Sequence, residues 1–172
     1  MKSRRTNSVC LLRALALGLH PSLGRISRSG RDTISELVWS KIGAEHDALL
    51  AENERGFPIA HAGMAATLRD LARFDLLFTK NPAPGQRNVI TEQIMRRIFT
   101  SRGGADEHGI LPLTYQWDML SDQGEFVKGG WAGQLLYVNR DKNVVVVYSG
   151  TNLTDNPKLE ALPCRIIAKT LF

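Results

Sequence analysis

The stretch Lys-Gly-Gly-Trp-Ala-Gly-Gln-Leu-Leu-Tyr-Val-Asn, residues 128–139, decides the fold of this chain. A glycine-rich turn leads there into an apolar run, and similar short runs lie before and after it. Such runs, separated by turn residues, predict β-strands in an antiparallel meander. The four predicted strands are Tyr115–Leu120, Glu125–Gly129, Gln134–Asn139 and Asn143–Ser149. Because Val144–Val147 is continuously apolar, the last strand is predicted to be covered on both faces and to lie well inside the sheet.

Helices are predicted on the amino-terminal side of this meander. Thr33–Glu36 has the pattern of a capping box, and the helix that it starts is predicted to end at Gly43. The segment 44–62 is polar and is predicted to be irregular. Thr67 and Thr91 are predicted to cap two further helices, each with apolar residues on one face.

A closing helix is predicted at the carboxyl end of the chain. Asn156 is its predicted cap and Pro157 its first helical residue. Ile166 and Ile167 are predicted to face the core, and Pro163 is predicted to kink the helix. Helices first, then a meander and then a closing helix indicate an α+β fold, with an antiparallel sheet flanked by helices.

Composition and charge argue against several classes of protein. The 172 residues carry a formal net charge of +5. Residues 1–31 contain seven basic and no acidic side chains, whereas the remainder contains 15 basic and 17 acidic ones. The body of the protein is therefore close to neutral, which argues against a nucleic-acid partner. Cys10 and Cys164 are interpreted as free thiols, and no apolar run is long enough to span a membrane.

Residues 1–29 are interpreted as a basic lead-in, poorly ordered or degenerate, ahead of one domain over residues 30–172. The pattern of a signal peptide is weak there. Val9–Leu19 is apolar, but Arg13 interrupts it and no small-residue cleavage site follows before Arg25. Both a cytoplasmic and a periplasmic location stay open, as does a complete small exported protein.

The best candidate for chemistry is Lys128 with Gly129 and Gly130. A lysine at the end of a strand that lines a cleft can hold a substrate carboxylate or support proton transfer. The backbone amide near Trp131 could serve as one donor of an oxyanion hole. The alternative interpretation is a solvated lysine beside a hairpin bend.

Other known patterns are absent or are interpreted as coincidence. Neither S-x-x-K nor G-x-S-x-G occurs in the sequence. Tyr137–Asn139 spells Y-x-N and Ser121–Gln123 imitates S-D-N, but both are interpreted as chance matches within or between strands. His46, His61 and His108 lack the spacing of metal ligands. Neither a metal site nor a cofactor is predicted.

Three segments together resemble a known family: Glu36–Asp47, Gly63–Phe74, and Gly130–Gln134 with the following Val144–Val147 strand. Their order and spacing are similar to the carboxyl-terminal half of the class C β-lactamase-related serine hydrolases, especially the members like 6-aminohexanoate-dimer hydrolase. The resemblance covers the chain from Gly30 to Phe172. It implies a partial β-lactamase or penicillin-binding-protein-like fold.

The resemblance also implies a function. In that family a serine and a lysine in S-x-x-K supply nucleophile and base, a tyrosine assists proton transfer, and a K-T-G or H-x-G strand closes the site. Only the last element matches this chain, at Lys128–Gly130, and Gly129 replaces the usual threonine. We therefore expect a fragment of a serine hydrolase for small amide, ester or β-lactam substrates, inactive alone because the S-x-x-K serine and the tyrosine are absent. The alternative is a non-catalytic binding or complementation module, whose partner would be the amino-terminal half of the same domain.

Overall fold

The fold was obtained as a computed structural model, which describes residues 30–55, 58–59, 63–100, 111–112, 117–121, 124–130, 133–150 and 157–172. The helices are α1 Gly30–Leu37, α2 Leu68–Leu76, α3 Glu92–Thr100 and α4 Pro157–Leu171, with 3₁₀ turns at Trp39–Lys41 and Pro84–Gln86. The strands are β1 Leu49–Leu50, β2 Met64–Ala65, β3 Leu111–Pro112, β4 Asp118–Ser121, β5 Glu125–Gly130, β6 Gln134–Asn139 and β7 Val144–Ser149.

The main sheet has five antiparallel strands in the order β3-β4-β5-β6-β7. Each strand pairs with the next one along the chain, so the predicted meander is confirmed. The prediction that Val144–Val147 lies well inside the sheet is wrong for the described residues, because β7 is the last strand in this order. Every residue of β6 is buried, whereas most of β7 is only partly buried.

Two hydrophobic cores cover the two faces of the sheet. Alternate residues of each strand point to opposite faces, so Phe126 joins the first core and Val127 the second. The first core lies against α1, α2 and α3 and contains an edge-to-face aromatic cluster of Phe74, Phe78, Phe99, Trp117 and Phe126. The second lies against α4. The prediction that β7 is covered on both faces is therefore confirmed.

The predicted helix caps have mixed outcomes. Thr67 caps α2, since its side chain accepts a hydrogen bond from the Asp70 amide at 3.1 Å. Thr91 likewise accepts one from the Ile94 amide at 3.3 Å. The predicted capping box at Thr33 is wrong, because α1 already includes Gly30 and Thr33 lies inside it. The α-helix also ends earlier than predicted, and a 3₁₀ turn covers the residues before Gly43.

The segment 44–62 is less irregular than predicted, because β1 lies within it. Leu49 and Leu50 of β1 pair with Ala65 and Met64 of β2 to form a small second sheet. Strands of two residues leave too short a pattern to be recognised in a sequence.

The closing helix starts at Pro157 as predicted. The prediction that Ile166 and Ile167 face the core is wrong, because they are 55% and 42% exposed while Cys164 and Ala168 are buried. Arg165 of this helix forms an ion pair with Glu125 of the sheet at 2.7 Å. The described α4 runs through Pro163 without interruption, and the kink there stays a prediction. The predicted cap Asn156 and the lead-in 1–29 fall outside the residues that the structure describes.

Candidate active site

The predicted site residues Lys128, Gly129 and Gly130 form the last half of β5. Lys128 lies directly across from Leu136 of β6, and Gly130 lies across from Gln134. Because side chains alternate between faces, Lys128 shares a face with Phe126 of the first core, where it is half-buried. Trp131, the fourth predicted residue, is not among the residues that the structure describes.

Gln134 brings a second polar group to this end of the sheet. It is diagonal to Lys128, at a distance of about 7–8 Å between backbones, and it pairs on its other side with Ser149 of β7. Its side-chain amide donates a hydrogen bond to the Gly150 carbonyl at 3.1 Å. Its buried Oε1 atom has no hydrogen-bond partner within the described part of the chain. This oxygen is therefore a buried acceptor that is left unsatisfied within the described chain.

Gln134 was not predicted from the sequence to have a functional role. One signal was present, because Gln134, Leu136 and Val138 occupy alternate positions and therefore the same face of β6. A glutamine that begins an otherwise apolar face must find partners or leave a buried group unsatisfied.

Gly129 faces the opposite side of the sheet from Lys128. A Cβ atom added to Gly129 would have no atom within 4 Å, and the residue does not adopt a positive φ. Crowding therefore does not require glycine there. The fold therefore does not exclude a threonine at position 129, and the lack of its hydroxyl is a difference in chemistry only.

Tyr137 and Asn139, which spell Y-x-N, lie on the face opposite Lys128 and belong to another network. The Tyr137 hydroxyl donates to Glu125 Oε1 at 2.8 Å, and Arg165 donates to both carboxylate oxygens of Glu125 at 2.7–3.2 Å. Burial, reinforced by the bond to Glu125, raises the pKa of Tyr137 well above its usual value. A phenol held in its neutral form is a poor proton acceptor, which supports the interpretation of this pattern as coincidence.

The most specific segment of the resemblance, Gly63–Phe74, has a structural role. Asp70 is fully buried and accepts hydrogen bonds from the Glu45 amide, the Thr67 hydroxyl and Arg73, all at 2.8 Å. Burial acts to raise the pKa of Asp70, but these hydrogen bonds together outweigh it and lower the pKa. Arg73 also pairs with Glu45. The network ties the start of α2 to the chain after Gly43.

A cleft of about 440 Å³ lies elsewhere, between α1 and the small β1–β2 sheet. Its walls include Ile34, Trp39, Leu50 and Met64, with Asp47 as the acidic group, and Lys128 is not among them. The candidate strand Lys128–Gly130 therefore does not line this cleft. No cluster of metal-ligating side chains occurs among the described residues, and no helix described is long and apolar enough to cross a membrane.

Comparison with known proteins places this geometry in context. The family model named Beta-lactamase matches residues 17–167. The chain is 29% identical over 125 residues to a 6-aminohexanoate-dimer hydrolase of Paenarthrobacter ureafaciens, an alignment that covers 67% of this chain and 32% of the relative.

A solved structure from Bacillus anthracis, assigned by name as a 6-aminohexanoate-dimer hydrolase, matches with a TM-score of 0.71 and 28% identity. That match covers 84% of this chain and 39% of the solved chain. The chain therefore spans 32% and 39% of the lengths of these two relatives.

Proposed function

Because this chain belongs to the beta-lactamase family, we propose that it supplies one wall of a hydrolase cleft, with Lys128–Gly130 as the strand that contacts substrate. The resemblance read from three sequence segments is confirmed by the family match. One observation carries the proposal: Lys128 is half-buried in the last half of a regular strand and lies diagonal to Gln134, whose buried oxygen is unpaired within the described chain. We propose small amides, esters or β-lactams as the substrate class.

Each group on this wall has a distinct role in the proposal. The Lys128 ammonium holds a substrate carboxylate or stabilises negative charge that develops on the reacting carbonyl. The backbone after Gly130 donates to the oxyanion. No hydroxyl from residue 129 takes part, because glycine stands there.

We further propose that the 172-residue chain forms no covalent intermediate by itself. Its sequence contains no S-x-x-K motif, and loss of a catalytic nucleophile removes most of the rate of such enzymes. Purified protein mixed with p-nitrophenyl acetate or a chromogenic cephalosporin is expected to show no burst and no acylated serine by mass spectrometry. A stoichiometric burst with an acylated serine would overturn this.

The role of Lys128 is tested in a chimera in which residues 30–172 follow the amino-terminal part of the Bacillus anthracis relative. In an active chimera, Lys128→Ala is expected to lower kcat/KM by about 100-fold or more, as for the loss of one oxyanion donor. Lys142→Ala, in the exposed turn before β7, is the matched control and should leave kcat/KM unchanged. Equal activity of the two variants would show that Lys128 has no part in the reaction.

A non-catalytic binding module is the second candidate. The observation that favours it is the partly exposed strand β7 at the end of the described sheet. This surface does not include Lys128, so the two proposals can fail independently.

A further inference from the structure

Gly150 lies where β7 ends, beside the start of β6. The register of these two strands pairs Gln134 with Ser149, so the next pair along the ladder is Gly133 with Gly150. The Gly150 amide donates a hydrogen bond to the Gly133 carbonyl at 2.8 Å, which continues the ladder one step past the strands. The turn that joins β5 to β6 is therefore bonded, at its β6 end, to the end of β7.

The Gln134 side chain makes a second bond to the same residue. Its Nε2 atom donates to the Gly150 carbonyl at 3.1 Å, so Gly150 is held through both its amide and its carbonyl. Gln134 is buried, and a hydrogen bond that is shielded from water is stronger than an exposed one. Together, the bond from the Gly150 amide to Gly133 and the bond from Gln134 to the Gly150 carbonyl form the Gly150 clamp.

The main-chain partners in the clamp are glycines for structural reasons. A Cβ atom at Gly150 would lie 2.8 Å from the Tyr148 ring and 3.1 Å from the Gly133 carbonyl oxygen. Gly133 has a φ of +88°, a value that residues with a side chain rarely adopt. The backbone of the clamp is therefore closely packed and has little freedom to move.

Packing alone does not explain a glutamine at position 134. Its Oε1 atom is buried and has no hydrogen-bond partner within the described part of the chain, and an unsatisfied buried acceptor is unfavourable. A methionine of similar size would fill the same space without this cost. The bond from Nε2 to the Gly150 carbonyl is what a methionine could not replace.

We propose that Gln134 is a positioning residue, which holds the turn between β5 and β6 in one place through the Gly150 clamp. This inference rests on the proposed function, in which the backbone after Gly130 donates to the oxyanion. Gly130 pairs with Gln134, so the turn is held at its β5 end by that pair and at its β6 end by the clamp. An oxyanion donor must lie about 2.7–3.1 Å from its target, and a displacement of about 1 Å can lower a rate by about 100-fold. Gln134 thus acts through the backbone.

Hydrogen exchange of the full chain tests the clamp without any need for activity. Gln134→Met removes the side-chain bond and the unsatisfied oxygen but keeps the size of the residue. The Gly150 amide is expected to exchange about tenfold faster or more, relative to the amide of Val138, which pairs within the central strand β6 and is exposed when the sheet opens. The melting temperature should change by less than about 3 °C, because the lost bond and the removed unsatisfied oxygen offset each other.

Gln86 provides a matched control outside the clamp. It is also a buried glutamine whose Nε2 atom donates to a backbone carbonyl, that of Ile42, at 2.9 Å. Gln86→Met therefore removes the same kind of bond elsewhere in the fold. The ratio of the Gly150 and Val138 exchange rates should stay within about twofold of its original value in this variant. An equal rise of the ratio in both variants would overturn the proposal.

The kinetic test uses the active chimera in which Lys128→Ala is measured. There, Gln134→Met is expected to lower kcat by about tenfold or more and to leave KM within about twofold, because an oxyanion donor acts in the transition state. Gln86→Met should leave kcat unchanged. A general loss of folded enzyme would lower the apparent kcat of both variants.

An unchanged exchange ratio in Gln134→Met would overturn the positioning role, as would an unchanged kcat. If Lys128→Ala still lowers kcat/KM in that case, the proposed function stands without Gln134. If Lys128→Ala has no effect, the proposed function fails, whereas a raised exchange ratio in Gln134→Met still supports the clamp.

Discussion

Asp75 is the residue most at odds with its surroundings. It lies in α2 with no exposed surface, and neither carboxylate oxygen has a hydrogen-bond partner within the described chain. Burial raises the pKa of this carboxyl well above its ordinary value of 3.8. A buried polar group without a partner costs stability, and an ionised one costs more.

Replacement of Asp75 by asparagine is expected to stabilise the fold at neutral pH. Because the folded-state pKa is raised, the carboxyl's contribution is fully present below 3.8 and is lost as the pH rises through the folded pKa. Asp75→Asn, which does not titrate, should therefore raise the unfolding free energy at pH 7 by about 1–3 kcal/mol. Urea denaturation at pH 4 and pH 7 measures this, and the difference between variant and original should shrink at pH 4. A gain of equal size at both pH values would rule out ionisation as the cause.

Gly63 and Gly129 differ in whether the structure requires a glycine at their position. Gly63 has a φ of +88°, and a Cβ there would lie 2.6 Å from the Ala51 Cβ atom across the β1–β2 sheet. Gly129 has open space and ordinary backbone angles. Glycine at 63 is thus required by the backbone, whereas glycine at 129 is not.

Alanine at these two positions should therefore give opposite results. Gly129→Ala is expected to raise stability by about 0.5–1 kcal/mol, since it restricts the unfolded chain without strain. Gly63→Ala should destabilise by at least about 2 kcal/mol, because it adds a clash to a strained φ. Thermal unfolding of both variants checks this, and a loss at Gly129 comparable to that at Gly63 would contradict the assignment of open space.

At the scale of elements, α4 is anchored to the sheet by charge as well as by apolar contact. Glu125 is almost fully buried in β5 and accepts hydrogen bonds from Tyr137 and Arg165. Removal of one partner from a buried ion pair leaves the other without compensation.

Arg165→Met is expected to loosen α4 and cost about 3 kcal/mol of stability, because it removes the guanidinium that donates hydrogen bonds to both oxygens of the buried Glu125 carboxylate. The buried Cys164 thiol, whose pKa is raised to about 11 chiefly by burial, reports on the helix. Its labelling by a maleimide at pH 7 should accelerate by about tenfold or more as α4 opens more often. Lys169→Met on the same helix is the control. Unchanged labelling in Arg165→Met would show that the apolar contacts alone hold α4.

At the scale of the molecule, helices cover both faces of the sheet and two separate cores stabilise it. The described cores draw on residues from Ile34 to Ala168, and the domain over residues 30–172 stays a prediction. The family match begins at residue 17, before α1. The predicted boundary at residue 30 thus differs from the start of the match.

Truncation distinguishes these two boundaries. Removal of residues 1–29 is expected to change the melting temperature by no more than about 2 °C, which is less than about 1 kcal/mol at this size. Removal of residues 1–16, which retains the matched region, is the control. If only the deletion of residues 1–29 lowered the melting temperature strongly, the domain would begin near residue 17 instead of residue 30.

The sequence by itself determined the meander, the caps at Thr67 and Thr91 and the family, because these rest on local patterns. Alternating apolar runs predict strands, a threonine hydroxyl predicts a helix start, and the Gly63–Phe74 segment indicates the family. Lys128 was found in the same way, as a lysine at the end of a glycine-rich strand. Its part in catalysis stays a prediction.

Only the tertiary structure decided which face each residue presents and which polar groups are satisfied. The helical pattern placed Ile166 and Ile167 inside, but in the structure Cys164 and Ala168 are buried and Arg165 pairs with Glu125. Asp75 and Gln134 look like ordinary polar residues until their neighbours are known. The physical reason is that burial and hydrogen bonding depend on contacts between residues far apart in the chain, which no local pattern encodes.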